Sequence, residues 1–302
     1  MTATGWLVRG MGRLNAVPVE RQLSDLSSRT YPAYAPLPRG MRARYAVRET
    51  TVEGCPVLRL TPRQGASGRH LIYTHGGWYV RPLVPMHWWL IDRATRGTAV
   101  TITLPFYRLA PEGNVHRAHQ LLRTVYAELT AGGAGSHITL AGDSAGGGLA
   151  LGQAVAYRDG GDPAPRQVIL FSPWVDITMA NPKISLLQPR DPMLHSAEAL
   201  AFGRLWAAGF DDRDSRLSPL YADLTGLPPV HTFQGGRDIL AADAQLLASR
   251  LRQVGNPGTF TFVPGAFHNY LAAFWTPEAR AALRAVQHLL RPRPDGNQHR
   301  SG

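Results

Sequence analysis

The sequence predicts an α/β protein built on a mostly parallel sheet with helices on both faces, and three observations carry that prediction. From His70 onward, short apolar runs recur: HLIYTH, AVTITL, HITLAG, QVILFS, VHTFQG and TFTFVPG. Strands that are apolar along their whole length are covered on both sides. Between them lie stretches with apolar residues at helical spacing, among them VHRAHQLLRTVYAELT, LAADAQLLASRLRQVG and TPEARAALRAVQHLL, so strand and helix alternate as a parallel sheet requires. Finally, HITLAGDSAGGGLALG passes from strand pattern to helix pattern through an acid, a serine and three glycines, which is a sharp turn with no room for bulky neighbours.

Taken in chain order, the first forty residues mix Pro, Arg and short apolar groups without a clear period and read as one or two short helices. RARYAVRE and PVLRLTPR then alternate apolar and polar residues around Glu53-Gly54, as a half-exposed hairpin does. The alternation of strand and helix follows, broken once. The interval from Trp174 to about Pro228 is too long for a simple crossover and carries its own helix pattern, SAEALAFGRLWAAGF. It reads as an insertion over one edge of the sheet. Because ligands collect at the carboxyl ends of parallel strands, the insertion is placed to act as a cap. The Pro/Arg-rich tail, residues 291–302, is expected to be disordered. No internal repeat appears, and residues 1–302 are read as one domain.

Composition narrows the class. The chain has 302 residues, 44% of them hydrophobic, enough for a large core. No apolar run approaches the roughly 20 residues a bilayer needs, and MTATGWLVRGMGRL lacks a compact apolar core followed by a small-residue cleavage site. Cys55 is the only cysteine, so no internal disulfide and no thiolate metal cage can form; a cytoplasmic location fits. The formal charge of +11 invites a nucleic-acid reading, yet Lys183 is the sole lysine and the arginines are scattered singly. That distribution argues against nucleic acid and against an anionic membrane as partner.

Gly142-Asp143-Ser144-Ala145-Gly146 fits the G-x-S-x-G pattern, and it stands between a strand and a helix, the setting in which that pattern marks a nucleophile. The missing lysine argues against a phosphate-binding loop. A serine hydroxyl needs a base, and the base needs an acid to hold its tautomer. Asp238 in GGRDIL and His268 in GAFHNY each follow a strand run, in the order Ser, Asp, His. Competing acids are Asp176, Asp191 and Asp243, the last expected on a helix surface. His116 and His119 share a helix face without a third ligand and are expected to be solvated, with no metal; His288 belongs to the last helix. Oxyanion donors are sought in His75-Gly76-Gly77-Trp78, just beyond the first fully apolar strand, where the amides of Gly76, Gly77 and Trp78 join that of Ala145.

With YTHGGWYV, YRLAPE, GDSAGG, SPW, DPM, SPLYADLTGLPPV, GGRDIL and FHNY in this order, the chain resembles the hormone-sensitive-lipase family of α/β-hydrolase-fold esterases from about His70 to Tyr270. The resemblance implies an eight-stranded sheet flanked by helices, a catalytic triad of Ser144, Asp238 and His268, and an oxyanion hole from the HGG loop and Ala145. It also implies a cap assembled from residues 1–42 and 174–228 over acyl and alcohol pockets. Two positions depart from the pattern: Trp78 replaces the usual third glycine, and Phe106 replaces the usual Asp before YRLAPE. The indole of Trp78 either walls the pocket or packs beneath the cap, and Phe106 removes a polar anchor under the YRLAPE turn. Tyr107, Arg108 and Glu112 are read as braces of that turn, and Trp88, Trp89, Phe202, Trp206 and Trp275 as core or cap packing.

The implied activity is serine-dependent hydrolysis of short to medium acyl esters or lactones through an acyl-serine, with a small-molecule ester as partner. No metal or organic cofactor, no nucleic acid and no stable membrane insertion is expected, and a homodimer is left open. Two alternatives remain at this stage. One is a ligand-binding homologue that kept the fold and lost turnover, which the presence of all three triad residues disfavours. The other is an amidase or acyltransferase using the same triad.

Overall fold

The computed structural model describes residues 21, 34–131 and 137–292. The short helices expected in the first forty residues, and nearly all of the tail expected to be disordered, lie outside the described residues. A short helix, α1 (Arg39–Arg44), leads into the hairpin β1 (Tyr45–Val52) and β2 (Cys55–Pro62). The two strands pair antiparallel, with Val52 opposite Cys55 across the expected Glu53-Gly54 turn. Then follow β3 (His70–Thr74), α2 (Pro85–Thr95), β4 (Thr101–Pro105), α3 (Val115–Thr130), β5 (Ile138–Asp143), α4 (Ser144–Asp159) and β6 (Gln167–Phe171). The insertion contributes α5 (Lys183–Leu187) and α6 (Ser196–Ala207), and the chain returns through β7 (Val230–Gly235), α7 (Ala241–Gln253), β8 (Phe260–Val263) and α8 (Pro277–Leu290).

All eight strands form one sheet in the order β1-β2-β4-β3-β5-β6-β7-β8. β2 pairs antiparallel with β4, and the pairs from β4 through β3 to β8 are parallel. Successive side chains of a strand face opposite ways, and β6 shows the result. Val168 and Leu170 enter a core on one face, and Ile169 and Phe171 enter the core on the other. Each such burial stabilises the fold by about 1.5–3 kcal/mol. The strand order also reverses at β3: the chain crosses from β3 to β4 on one side, then from β4 to β5 on the other. A crevice opens at the carboxyl ends of strands where the order reverses. Two segments leave the sheet at that point, the His75-Gly76-Gly77-Trp78 loop after β3 and the Ser144 turn after β5.

The insertion between β6 and β7 is tied at its roots. Leu220 N–H donates to Val175 O at 3.0 Å, Ile177 N–H donates to Ser218 Oγ at 2.9 Å, and Tyr221 Oη donates to Asp176 Oδ2 at 2.9 Å. Helix α6 ends at Ala208, which adopts φ +50° ahead of Gly209 at φ +88°, the left-handed stop that closes many helices. Its inner face buries Phe202 and Trp206, and Trp206 stacks on Tyr79 at 4.5 Å between ring centroids. Trp88 is buried as well, whereas Trp89 and Trp275 are half exposed and do not belong to the core. Among the described residues, no helix is long and apolar enough to cross a membrane.

Candidate active site

Ser144 is the first residue of α4 and adopts φ +52°, a left-handed conformation that costs a residue with a Cβ about 1–2 kcal/mol. The strain persists because strand and helix are clamped together. A Cβ on Gly142 would lie 2.3 Å from Gly146 O, and one on Gly146 would lie 2.1 Å from Thr74 O. The glycines around the serine therefore allow β5, α4 and the end of β3 to approach backbone to backbone. No side chain caps α4, so the amide of Ala145 belongs to the unclaimed donors of a helix start.

His268 and Asp238 come from the loops after β8 and β7, and both are buried. His268 Nδ1 donates to Asp238 Oδ2 at 2.8 Å, and Asp238 also accepts from Gln234 Nε2 and from Leu240 N–H. Burial opposes the imidazolium of His268, but the carboxylate of Asp238, helped by those of Asp191 and Asp143, outweighs it and raises the pKa. With Nδ1 donating, Nε2 carries the lone pair, facing Asn269 Nδ2 at 3.3 Å. Asn269 Nδ2 also donates to Asp143 Oδ2 at 3.1 Å. The histidine loop is thus bonded to the residue immediately before Ser144.

The loop after β3 lies directly on the serine turn, because a Cβ on Gly76 would stand 2.9 Å from Ser144 Cβ. Its amides do not all play the expected part. Gly76 N–H donates to Asp143 Oδ1 at 3.0 Å, so it is not free to meet an oxyanion, a point that spacing alone cannot decide. For Gly77 and Trp78, no acceptor of the amide appears among the described residues. Trp78 and Tyr79 are both left-handed, at φ +58° and +63°. Their rings offset that strain by burial: Trp78 meets Trp174 edge to face at 4.9 Å, and Tyr79 stacks on Trp206. Of the two readings of Trp78, packing beneath the insertion is the one its surroundings support.

Of the three residues read as braces of the YRLAPE turn, Tyr107 alone is seen to hold this loop. Tyr107 Oη donates to His75 O at 2.7 Å, and its ring stacks on His75. Burial and the nearby His87 push the His75 pKa down to about 4, so that ring is neutral. Arg108 and Glu112 point outward at the turn's rim. Phe106, in place of the expected acid, stacks on Tyr34 at 3.7 Å.

The rival residues find other places. Asp176 ties the insertion's roots, and Asp191 accepts from the amides of Met193, Leu194 and Ile239, the last adjacent to Asp238. Burial and the charge of Asp238 raise the Asp191 pKa to about 6. Asp243 is buried, not on the helix surface as expected: it faces the insertion, where Asn181 Nδ2 donates to its Oδ1. His119 is likewise buried and not solvated, and burial lowers its pKa to about 4. Among the described residues, no group of three or more His, Cys, Asp or Glu is placed to hold a metal ion. The residue that sequence reasoning passed over is Asp143. Its carboxylate is buried and accepts from Tyr73 Oη at 2.7 Å, as well as from Gly76 and Asn269, with His87 Nε2 at 3.4 Å.

Known proteins resemble this chain. A family model described as the alpha/beta hydrolase fold matches residues 71–272. An acetyl-hydrolase from Streptomyces hygroscopicus is 32% identical, over 80% of this chain and 81% of its own. The solved structure of an esterase from the bacterial hormone-sensitive lipase family superposes with a TM-score of 0.78 at 26% identity, over 95% of this chain and 96% of that one. EstE5, soaked by p-nitrophenyl butyrate, gives a TM-score of 0.77 at 26% identity, over 95% and 96%. The buried His–Asp pair, the left-handed serine and these matches together place the chain in the hormone-sensitive-lipase family of α/β-hydrolase-fold esterases.

Proposed function

We propose that the protein hydrolyses carboxylic esters through an acyl-serine, with Ser144 as nucleophile, His268 as general base and then acid, and Asp238 as its orienting carboxylate. The observation that carries this reading is a left-handed serine at a strand-to-helix turn together with a buried imidazole that donates to Asp238 at 2.8 Å, on a loop whose Asn269 is bonded to Asp143, the residue before the serine. The imidazole Nε2 holds the lone pair. In the first step this nitrogen takes the Ser144 proton as Oγ bonds to the ester carbon, and the carbonyl oxygen becomes an oxyanion. The amides of Gly77, Trp78 and Ala145 are its donors, each worth roughly 3–4 kcal/mol in the transition state. The imidazolium returns its proton to the departing alkoxide as the C–O bond breaks. Water, deprotonated by the same nitrogen, then releases the acid and restores the serine.

The short-to-medium acyl preference is supported by the likeness to an acetyl-hydrolase. The insertion, whose Trp206 lies over Tyr79, serves as the cap in this reading. A cytoplasmic setting suits the single buried thiol of Cys55.

Ser144→Ala is the test. It is expected to lower kcat for p-nitrophenyl esters by roughly 10⁴-fold or more, to abolish labelling by a fluorophosphonate, and to leave the thermal midpoint nearly unchanged. Comparable turnover in the variant refutes the assignment. A panel of p-nitrophenyl esters graded by acyl length reads the pocket.

A further inference from the structure

Asp143 occupies the N-cap position of α4, where an aspartate ordinarily accepts from the helix's own first amides. Here it does not: α4 has no side-chain cap. The carboxylate turns away and is held by four donors from four segments. Oδ1 accepts from Tyr73 of β3 and from the Gly76 amide, at 2.7 and 3.0 Å. Oδ2 faces Asn269 Nδ2, beside His268, at 3.1 Å and His87 Nε2, on α2, at 3.4 Å. An ionised carboxylate is acceptor-only with about four lone-pair sites, so it satisfies all four at once. Asparagine cannot, since its NH₂ would face the donors at Oδ2.

We propose that Asp143 is a positioning residue for the reaction, one buried anion that locks the oxyanion loop and the His268 loop onto the Ser144 turn while leaving the Ala145 amide uncapped. The proposal rests on the reading of Ser144 and His268 above. Gly76 is adjacent to the proposed donor Gly77, and Asn269 is adjacent to the base, so each bond from Asp143 fixes a neighbour of a reacting group. The site is built to keep the charge. Burial alone would protonate the carboxyl, yet the His87 ring, Tyr73 and the Gly76 amide together bring its pKa down to about 2. His87 is held in turn by α2. Val84 N–H donates to His87 Nδ1 at 2.9 Å, leaving Nε2–H for Asp143. The other titratable groups around the carboxylate are His75 and His268, both buried, and Tyr107. Only His268 is positioned to report it in turnover.

Asp143→Asn tests this in the full chain with p-nitrophenyl butyrate. A loop shifted by about 1 Å can cost on the order of 100-fold in rate, so kcat is expected to fall about 10- to 100-fold with KM nearly constant. Because the Asp143 charge helps raise the His268 pKa, the acid limb of kcat/KM should also move to lower pH, which mere loosening of the fold does not require. Wild-type kcat together with an unmoved acid limb overturns the proposal. Should the variant fail to fold, Asn269→Ala and His87→Gln decide. The first is expected to lower kcat without raising KM, and the second, which keeps a donor, to retain most of it; full kcat in Asn269→Ala overturns the proposal. Ser144→Ala separates the two levels. An active Ser144→Ala enzyme breaks the underlying reading, whereas an inactive one beside a wild-type-like Asp143→Asn breaks this proposal alone.

Discussion

At the scale of single residues, Trp78 and Asp243 show how context decides what a side chain does. Trp78 lies against Trp174 under the insertion, with its backbone left-handed. Trp78→Gly removes a buried indole worth about 3–5 kcal/mol and relieves about 1–2 kcal/mol of backbone strain. The thermal midpoint should therefore fall by several degrees while the acyl-length profile stays as it was, and a shifted profile would return the indole to the pocket wall. Asp243 carries the opposite expectation. Burial raises its pKa from 3.8 to about 6, and its Oδ2 is buried without a partner. Between those two values the unfolded chain has already ionised while the folded one still holds the proton, so stability falls as pH rises through that window and the deficit persists above it. Asp243→Asn removes the deficit. It should stabilise by up to about 3 kcal/mol at pH 8 and by almost nothing at pH 4, read by denaturant melts at both. Neither placement could be read from the sequence, because the partners, Trp174 and Asn181, belong to the insertion and lie far from these residues along the chain.

At the scale of elements, each expected strand is present, because runs such as VILF and ITLA are apolar on both faces and a strand buried on both sides leaves little other choice. The helices with a clean apolar stripe, α3, α7 and α8, were legible for the same reason. Helix α2 was not, since His87, Trp88, Leu90 and Ile91 crowd into one apolar block that shows no period. The strand-to-helix turn was the most legible element, because its glycines report a steric demand directly. Gly146→Ala would place a methyl 2.1 Å from Thr74 O and 2.5 Å from His75 O, both backbone atoms that cannot yield without moving β3 or its loop. Esterase activity should be lost and the melting midpoint lowered. Gly40→Ala, whose Cβ meets only Arg44 Nη1 at 3.8 Å, should leave activity unchanged without lowering the midpoint and serves as the control. A Gly146→Ala enzyme with normal kcat would mean that the turn is looser than its contacts indicate.

At the scale of the whole molecule, three carboxylates from separate segments raise the pKa of one imidazole: Asp238 after β7, Asp191 in the insertion and Asp143 at the end of β5. Hydrolysis needs His268 neutral, so kcat/KM should decline as pH falls through a midpoint above the ordinary imidazole value of 6.5. Asp191→Asn should move that midpoint down, and an unmoved midpoint would remove Asp191 from the electrostatics of the site. The three residues proposed as the triad could be sought in the sequence because each follows a strand, and the sheet brings strand ends together. The part of the further carboxylates was not legible, since Asp191 comes beside Asp238 by accepting from the amide of Ile239, a contact no spacing rule encodes. The knotted roots of the segment between β6 and β7 bear on how such proteins diversify. With Val175 bonded to Leu220 and Asp176 to Tyr221, the ends of residues 179–217 meet whatever lies between them, and closing a longer stretch costs only about 0.6 kcal/mol per doubling of length. That stretch is a cassette. Evolution, or an engineer splicing in a relative's version, can rewrite it around Asp191, whose bond to the Ile239 amide must be kept, to admit a different ester while the machinery beneath keeps its register.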